Sequence, residues 1–175
     1  LELPKYDNKR TRFLTQLEIG KLISRLELEG HSNSYLLTIL ALNTGARKET
    51  LLNIKYRDIN FETAEVKLYD FKYDEYYQGL IADKEVLRRL HDLSFSNDDN
   101  NYILYSKNPK EKLQEVPRLL KRILDELFNY NLEPLHLDRV YFHTFRHTFA
   151  SLLVQKGISI YLVKKLLNHH TIQST

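Results

Sequence analysis

Residues 32–43 constrain the fold more than any other stretch. Tyr35, Leu36, Leu37, Ile39, Leu40, Ala41 and Leu42 leave a helix of this length almost no polar face. A helix that is apolar nearly all round must be covered by other elements on every side. It stops at Thr44-Gly45, where glycine permits a left-handed turn. The chain is therefore predicted to wrap helices around a central rod. With 175 residues and 42% hydrophobic content it can build one such core.

The neighbouring segments supply the cover. Thr15-Gln-Leu-Glu18 is a capping box, with Leu14 and Ile19 placed as a hydrophobic staple, and Leu22, Ile23 and Leu26 continue one apolar face to Gly30. A short helix is predicted at about 47–54. Asp58 to Phe61, Glu65 to Tyr69 and Glu75 to Ile81 alternate and read as three short antiparallel strands. Helices follow at Asp83 to Leu93, 113–130 and 143–156, the last ending at Gly157, with a short apolar element at Tyr102 to Tyr105. Ser159 caps one more helix, through about Leu167. The fold class is mainly α (α+β), with a small three-stranded antiparallel sheet. Residues 1–14, with Pro4, Lys5, Lys9, Arg10 and Arg12, read as a basic linker or arm, and 15–175 as one domain.

Composition narrows the function classes. Formal net charge is +3 and 28% of residues are charged; the pI is about 8.9. This permits a nucleic-acid partner without demanding one. There is no cysteine, so disulfide frameworks and thiol chemistry are excluded. No apolar run has the length of a membrane span, and no leader peptide is visible. The chain contains no methionine, which suggests an excised fragment.

One helix start invites chemistry. In His143-Thr-Phe-Arg-His-Thr-Phe-Ala-Ser-Leu-Leu, the residues Phe145, Phe149, Leu152 and Leu153 form a buried stripe. His143 and Arg146 are three apart and project on one side. Together with the free N–H groups of a helix N-terminus they would cradle an anion. The plainer reading is a solvated or capping pair. A metal site at His143 and His147 would need a glutamate after the first histidine, but Thr144 stands there, and no third ligand is fixed by spacing. Arg47 comes two residues after Gly45, a rigid mount for a cation beside the most buried helix.

In order along the chain stand Asn43-Thr-Gly-Ala-Arg47, then Thr50-Leu-Leu-Asn-Ile-Lys-Tyr-Arg-Asp58-Ile, then Lys72 in a hairpin. His143-Thr-Phe-Arg146-His-Thr-Phe-Ala and Leu166-Leu-Asn-His169-His-Thr-Ile-Gln follow. This series resembles the catalytic domain of the tyrosine recombinase, or phage integrase, family over nearly the whole chain. The resemblance implies a site-specific DNA recombinase or integrase. Such an enzyme cuts and rejoins strands through a 3′-phosphotyrosyl intermediate, without metal or nucleotide. It implies Arg47 and Arg146 as the clamp on the phosphate oxygens and Lys72 as general acid. His143 would have an acid–base or phosphate-binding role, and His169 would hydrogen-bond the phosphate. His170 and His147 are left as non-catalytic. Double-stranded DNA is the implied partner. A homotetramer on two duplexes is implied for the full-length protein, with monomer for an isolated fragment; no membrane partner is expected, and a cytoplasmic, DNA-associated location follows.

The sequence departs from the family pattern in several places. Thr50, preceded by Glu49, replaces the acidic residue that many relatives carry three positions after the first arginine. Asn168 replaces the more usual glycine, and Lys67 lies near Lys72. The nucleophilic tyrosine is expected just beyond Thr175; none of the 12 tyrosines stands in the matching place, so the domain reads as incomplete there. Arg146→Ala is expected to abolish covalent linkage to DNA while leaving the fold intact. The five basic residues are expected in one basic surface pocket. Two readings remain beside the enzyme: a DNA-binding module that regulates without cutting, and an unrelated helical phosphohydrolase or metal protein.

Overall fold

The computed structural model describes residues 11–168. Its helices are α1 (Gln16–Glu29), α2 (Ser32–Thr44), α3 (Lys48–Leu52), α4 (Lys84–Ser94), α5 (Arg118–Phe128), α6 (Phe142–Gln155) and α7 (Ile160–Leu166). Between α3 and α4 lie β1 (Ile59–Asn60), β2 (Glu65–Asp70) and β3 (Glu75–Leu80), an antiparallel meander in that order. Helix α2 is the rod that its composition requires. Leu36, Leu37, Ile39, Leu40 and Ala41 are buried, and α1, α3, α6 and β3 pack on it. Its buried threonines fold back on the helix: Thr38 Oγ1 donates to the Ser34 carbonyl and Thr44 Oγ1 to that of Leu40, each at 2.8 Å. Each such hydroxyl is thereby satisfied inside the core.

Both punctuation signals act as read. The Thr15–Glu18 capping box closes in both directions. Leu14, just ahead of it, is fully buried, and its N–H donates to Thr148 Oγ1 on α6 at 2.9 Å. The end of the basic arm is thus docked on the domain; residues 1–10 lie outside the described part. Gly45 ends α2 at φ +63°, with its N–H on the Ala41 carbonyl. A Cβ here would overlap Phe149 Cδ1 and come within 2.6 Å of Leu167 Cδ2. Gly45→Ala therefore combines a left-handed strain with a core clash. Chemical denaturation should show a loss of about 2–4 kcal/mol; a change under about 1 kcal/mol would contradict this packing.

Two boundaries differ from the sequence reading. The helix expected at 113–130 begins only at Arg118, because Pro117 occupies its N-cap position and disfavours helical backbone just before it. Residues 112–113 instead pair with 104–105: Lys112 bridges Tyr105, and Leu113 N–H donates to the Leu104 carbonyl at 2.8 Å. The strand expected from Asp58 pairs over two residues only, since Tyr56–Asp58 forms a 3₁₀ turn. On α6, Phe145 is fully buried while Phe149, Leu152 and Leu153 are half-buried.

Candidate active site

Three elements deliver the cations. The α2–α3 bend carries Arg47, whose backbone is extended as the first turn of α3 begins. The β2–β3 turn carries Lys72. The first turns of α6 carry His143 and Arg146. Arg146, only 6% exposed, crosses to the α2–α3 bend: Nη1 donates to the Gly45 carbonyl and Nη2 to the Leu167 carbonyl, each at 2.6 Å. It therefore pins three parts of the chain together. Burial, and then the Arg47 charge, lower its pKa to about 10, which still leaves it protonated at neutral pH. The sequence reading expects Arg47, Lys72, His143, Arg146 and His169 in one basic surface pocket. The structure instead buries Arg146 and leaves Arg47, Lys72 and His143 reaching solvent.

Arg47 is held by a carboxylate that the motifs do not point to. Its Nη1 donates to Asp70 Oδ2 at 2.5 Å, while Asp70 Oδ1 accepts the Lys72 N–H at 2.9 Å. Asp70 is fully buried. Burial pushes its carboxyl up, but donation from Asn168 and the Lys72 N–H, together with the Arg47 charge, brings the pKa below its ordinary value. Asn168 has φ +52° and so fills a left-handed position that asparagine tolerates. Its Nδ2 donates to Asp70 Oδ2 at 3.2 Å and to Glu75 Oε1 at 2.8 Å. Thr50, where an acid was the more usual residue, donates its hydroxyl to the Tyr69 carbonyl instead.

Lys72 and Arg47 both face Tyr73, at 5.1 and 5.9 Å from its ring centroid. Lys67 lies on the outer face of β2, with its Nζ 4.1 Å from the Tyr76 centroid. Tyr77, on β3, sits behind the cations. Its buried hydroxyl lies near Arg146 and Thr50 but completes no hydrogen bond among the described residues, and burial raises its pKa.

The His143 and His147 rings meet edge to face with centroids 4.8 Å apart. Packing around His143, then His147 and the guanidiniums of Arg146 and Arg47, lower its pKa to about 4. The imidazole is therefore neutral at pH 7. His147 is shifted the same way by burial and Arg146. Both pKa values are lower folded than unfolded. Their contribution to stability is complete above the unfolded value near 6.5 and fades as pH falls toward 4. Asp70 acts in the same direction at lower pH. The melting temperature should therefore fall between pH 7.5 and 4.5, and less steeply in His143→Asn. Equal slopes for the two proteins would contradict the shift at His143.

Among the described residues no cluster of three His, Cys, Asp or Glu could hold a metal ion. No described helix is long and apolar enough to cross a membrane. His169 and His170 lie outside the described residues. Two surface cavities, of about 660 and 600 Å³, lie away from the cations, one beside Tyr35 and Arg89 and the other between Leu17 and Leu127.

Arg47, His143 and Arg146 thus share one electrostatic neighbourhood, and Lys72 shares Tyr73 with Arg47. Residues 12–175 match the sequence pattern of the phage integrase family. The chain belongs to that family. Tyrosine recombinase XerA of Pyrococcus furiosus is 29% identical over 184 residues, which cover all of this chain and 59% of that protein. The chain spans between half and three-fifths of the length of such relatives. The post-cleavage complex of the XerH site-specific recombinase with palindromic difH substrate superposes with a TM-score of 0.72 at 20% identity. That likeness covers 97% of this chain and 49% of XerH. The catalytic domain of bacteriophage HP1 integrase gives 0.66 at 19%, covering 93% and 83%. At these identities the two structures speak for the fold: a phage integrase domain, mainly helical with a three-stranded sheet.

Within that family fold, Asp70 is the member that the motifs leave out, and Asn168, read in the sequence only as a replaced glycine, is its partner. Asp70 does leave a local trace. Val66, Leu68 and Asp70 share the inward phase of β2, and a charge on an inward phase needs a partner.

Proposed function

We propose that this phage integrase chain forms the phosphate-binding part of a DNA breaking–rejoining recombinase. The observation that carries the reading is the meeting of Arg47, Arg146 and His143 from distant segments, with Lys72 beside them on the Tyr73 ring. Each guanidinium keeps N–H groups beyond those bound to Asp70, Gly45 and Leu167. Those donors suit the non-bridging oxygens of a phosphodiester, whose charge grows in a five-coordinate transition state. In cleavage, as the resemblance implies, a tyrosine hydroxyl would attack phosphorus as its proton passes to a neutral imidazole beside the phosphate, the bond to the 5′-oxygen would break, and the Lys72 ammonium would protonate the leaving oxygen. In rejoining, the 5′-hydroxyl attacks, Lys72 takes its proton, and the tyrosine leaves as the imidazole returns a proton to its oxygen. The neutral imidazole of His143 can accept a hydrogen bond or pass a proton beside the phosphate, and His169 would complete the set. Duplex DNA is the partner, and four copies on two duplexes would be the working assembly, as the resemblance implies.

The rejoining half can be tested with a substrate that supplies its own leaving group. The substrate is a pool of duplexes with randomised flanks. Each carries a nick with a 3′-p-nitrophenyl phosphate facing a 5′-hydroxyl. The nitrophenyl group stands in for tyrosine, and the random flanks remove the need to know the target site. Binding should weaken as salt rises, because phosphate contacts release counterions. Lys72→Ala should slow joining by about 10²–10⁴-fold, the usual worth of general acid–base catalysis. Lys67→Ala should stay within about threefold of the parent chain, its ammonium being outside the constellation. Equal losses for the two variants would remove Lys72 from its role.

A further inference from the structure

Resting on that reading, we propose that Asp70 is the positioning carboxylate of the active site, held in place by Asn168. One Asp70 oxygen fixes the Arg47 guanidinium and the other fixes the backbone of Lys72, at 2.5 and 2.9 Å. A single buried side chain therefore sets both the phosphate clamp and the turn that carries the proton donor. The work falls to Asp70 because Thr50, three residues after Arg47, offers no charge and turns its hydroxyl to the Tyr69 carbonyl. Asn168 extends the tie. Its amide spans Asp70 on β2 and Glu75 on β3, so the chain leaving α7 is bound to the hairpin beside Arg47. The left-handed backbone of Asn168 would suit glycine equally, but glycine has no amide to make this bridge. Asp70 touches no substrate. It acts through Arg47 and the Lys72 turn.

Asp70→Asn keeps the size of the side chain and removes its charge. Joining of the nicked pool should slow by on the order of 10–100-fold, the scale of losses from misplaced catalytic groups. Duplex affinity should stay close to that of the parent chain, while the melting temperature falls because the buried partner of Arg47 has lost its charge. Asparagine can still accept the Lys72 N–H through Oδ1, so the variant removes only the arm to Arg47, and that arm has nothing left to do once Arg47 is impaired. In an Arg47→Lys background the same change should therefore cost less than about threefold. Equal losses in both backgrounds, or no loss in either, would overturn the proposal. If Asp70→Asn does not fold, Asn168→Gly carries the test, with a smaller loss that also vanishes in the Arg47→Lys background. The Arg47 Nη–H resonances give a readout independent of activity: they should be dispersed and slowly exchanging in the parent chain and averaged in Asp70→Asn. A parent chain that joins no strand would end the proposed function. An Arg47 resonance unchanged by Asp70→Asn would end this inference alone.

Discussion

Arg47→Lys should fold normally and join strands about 10²–10³-fold more slowly than the parent chain, because removing a single preorganised donor from a developing oxyanion typically costs a factor of this size. The charge is retained, so the ion pair with buried Asp70 survives in kind and the melting temperature should move by only a few degrees. What is lost is the fork. Arginine can give one edge to Asp70 and another to a phosphate oxygen, whereas one ammonium on a flexible stem cannot hold both in fixed geometry. Single-turnover joining together with thermal melting checks it. A rate for Arg47→Lys within about fivefold of the parent chain would show that Arg47 serves only Asp70.

Arg146→Ala should fail twice over. Catalysis should be undetectable, and the fold itself should lose about 2–4 kcal/mol. Two buried carbonyls, Gly45 and Leu167, would lose charge-assisted partners at 2.6 Å, and a cavity would open between the α2–α3 bend and the end of α7. Relief from burying a charge offsets part of this, as the lowered pKa of Arg146 indicates. The expectation of an intact fold in this variant is therefore joined here by an expected loss of stability. Urea denaturation should show the loss at unchanged slope. Full stability in Arg146→Ala would mean that the guanidinium does not tie these segments.

What was legible and what was not divides by sequence distance. The Thr15–Glu18 box, the Gly45 stop and the Ser159 cap are local signals, and each falls where it was read. The apolar rod at 32–43 announces its own burial. Pro117 shows why periodicity alone overran: Leu113 and Val116 fit a helical stripe, but the proline turns that approach into an extended segment. The site was legible as residue types in order, because the family motifs are short. Its support was not. Asp70 meets Arg47 across 23 residues and Asn168 across 98, and Arg146 reaches Gly45 across 101. No spacing rule spans such distances, and only packing brings these groups together.

The most direct test of the account is the stoichiometry of one reaction, nitrophenolate released against strands joined, when the parent chain meets the nicked duplex pool. Transfer of phosphorus to the 5′-hydroxyl predicts one joined strand per nitrophenolate, with both lost together in Arg47→Lys. Nitrophenolate without joined strands would mean that water is the acceptor and the chain a phosphohydrolase. Bound duplex with neither product would mean that these cations grip DNA without acting on it, and either result would contradict the account.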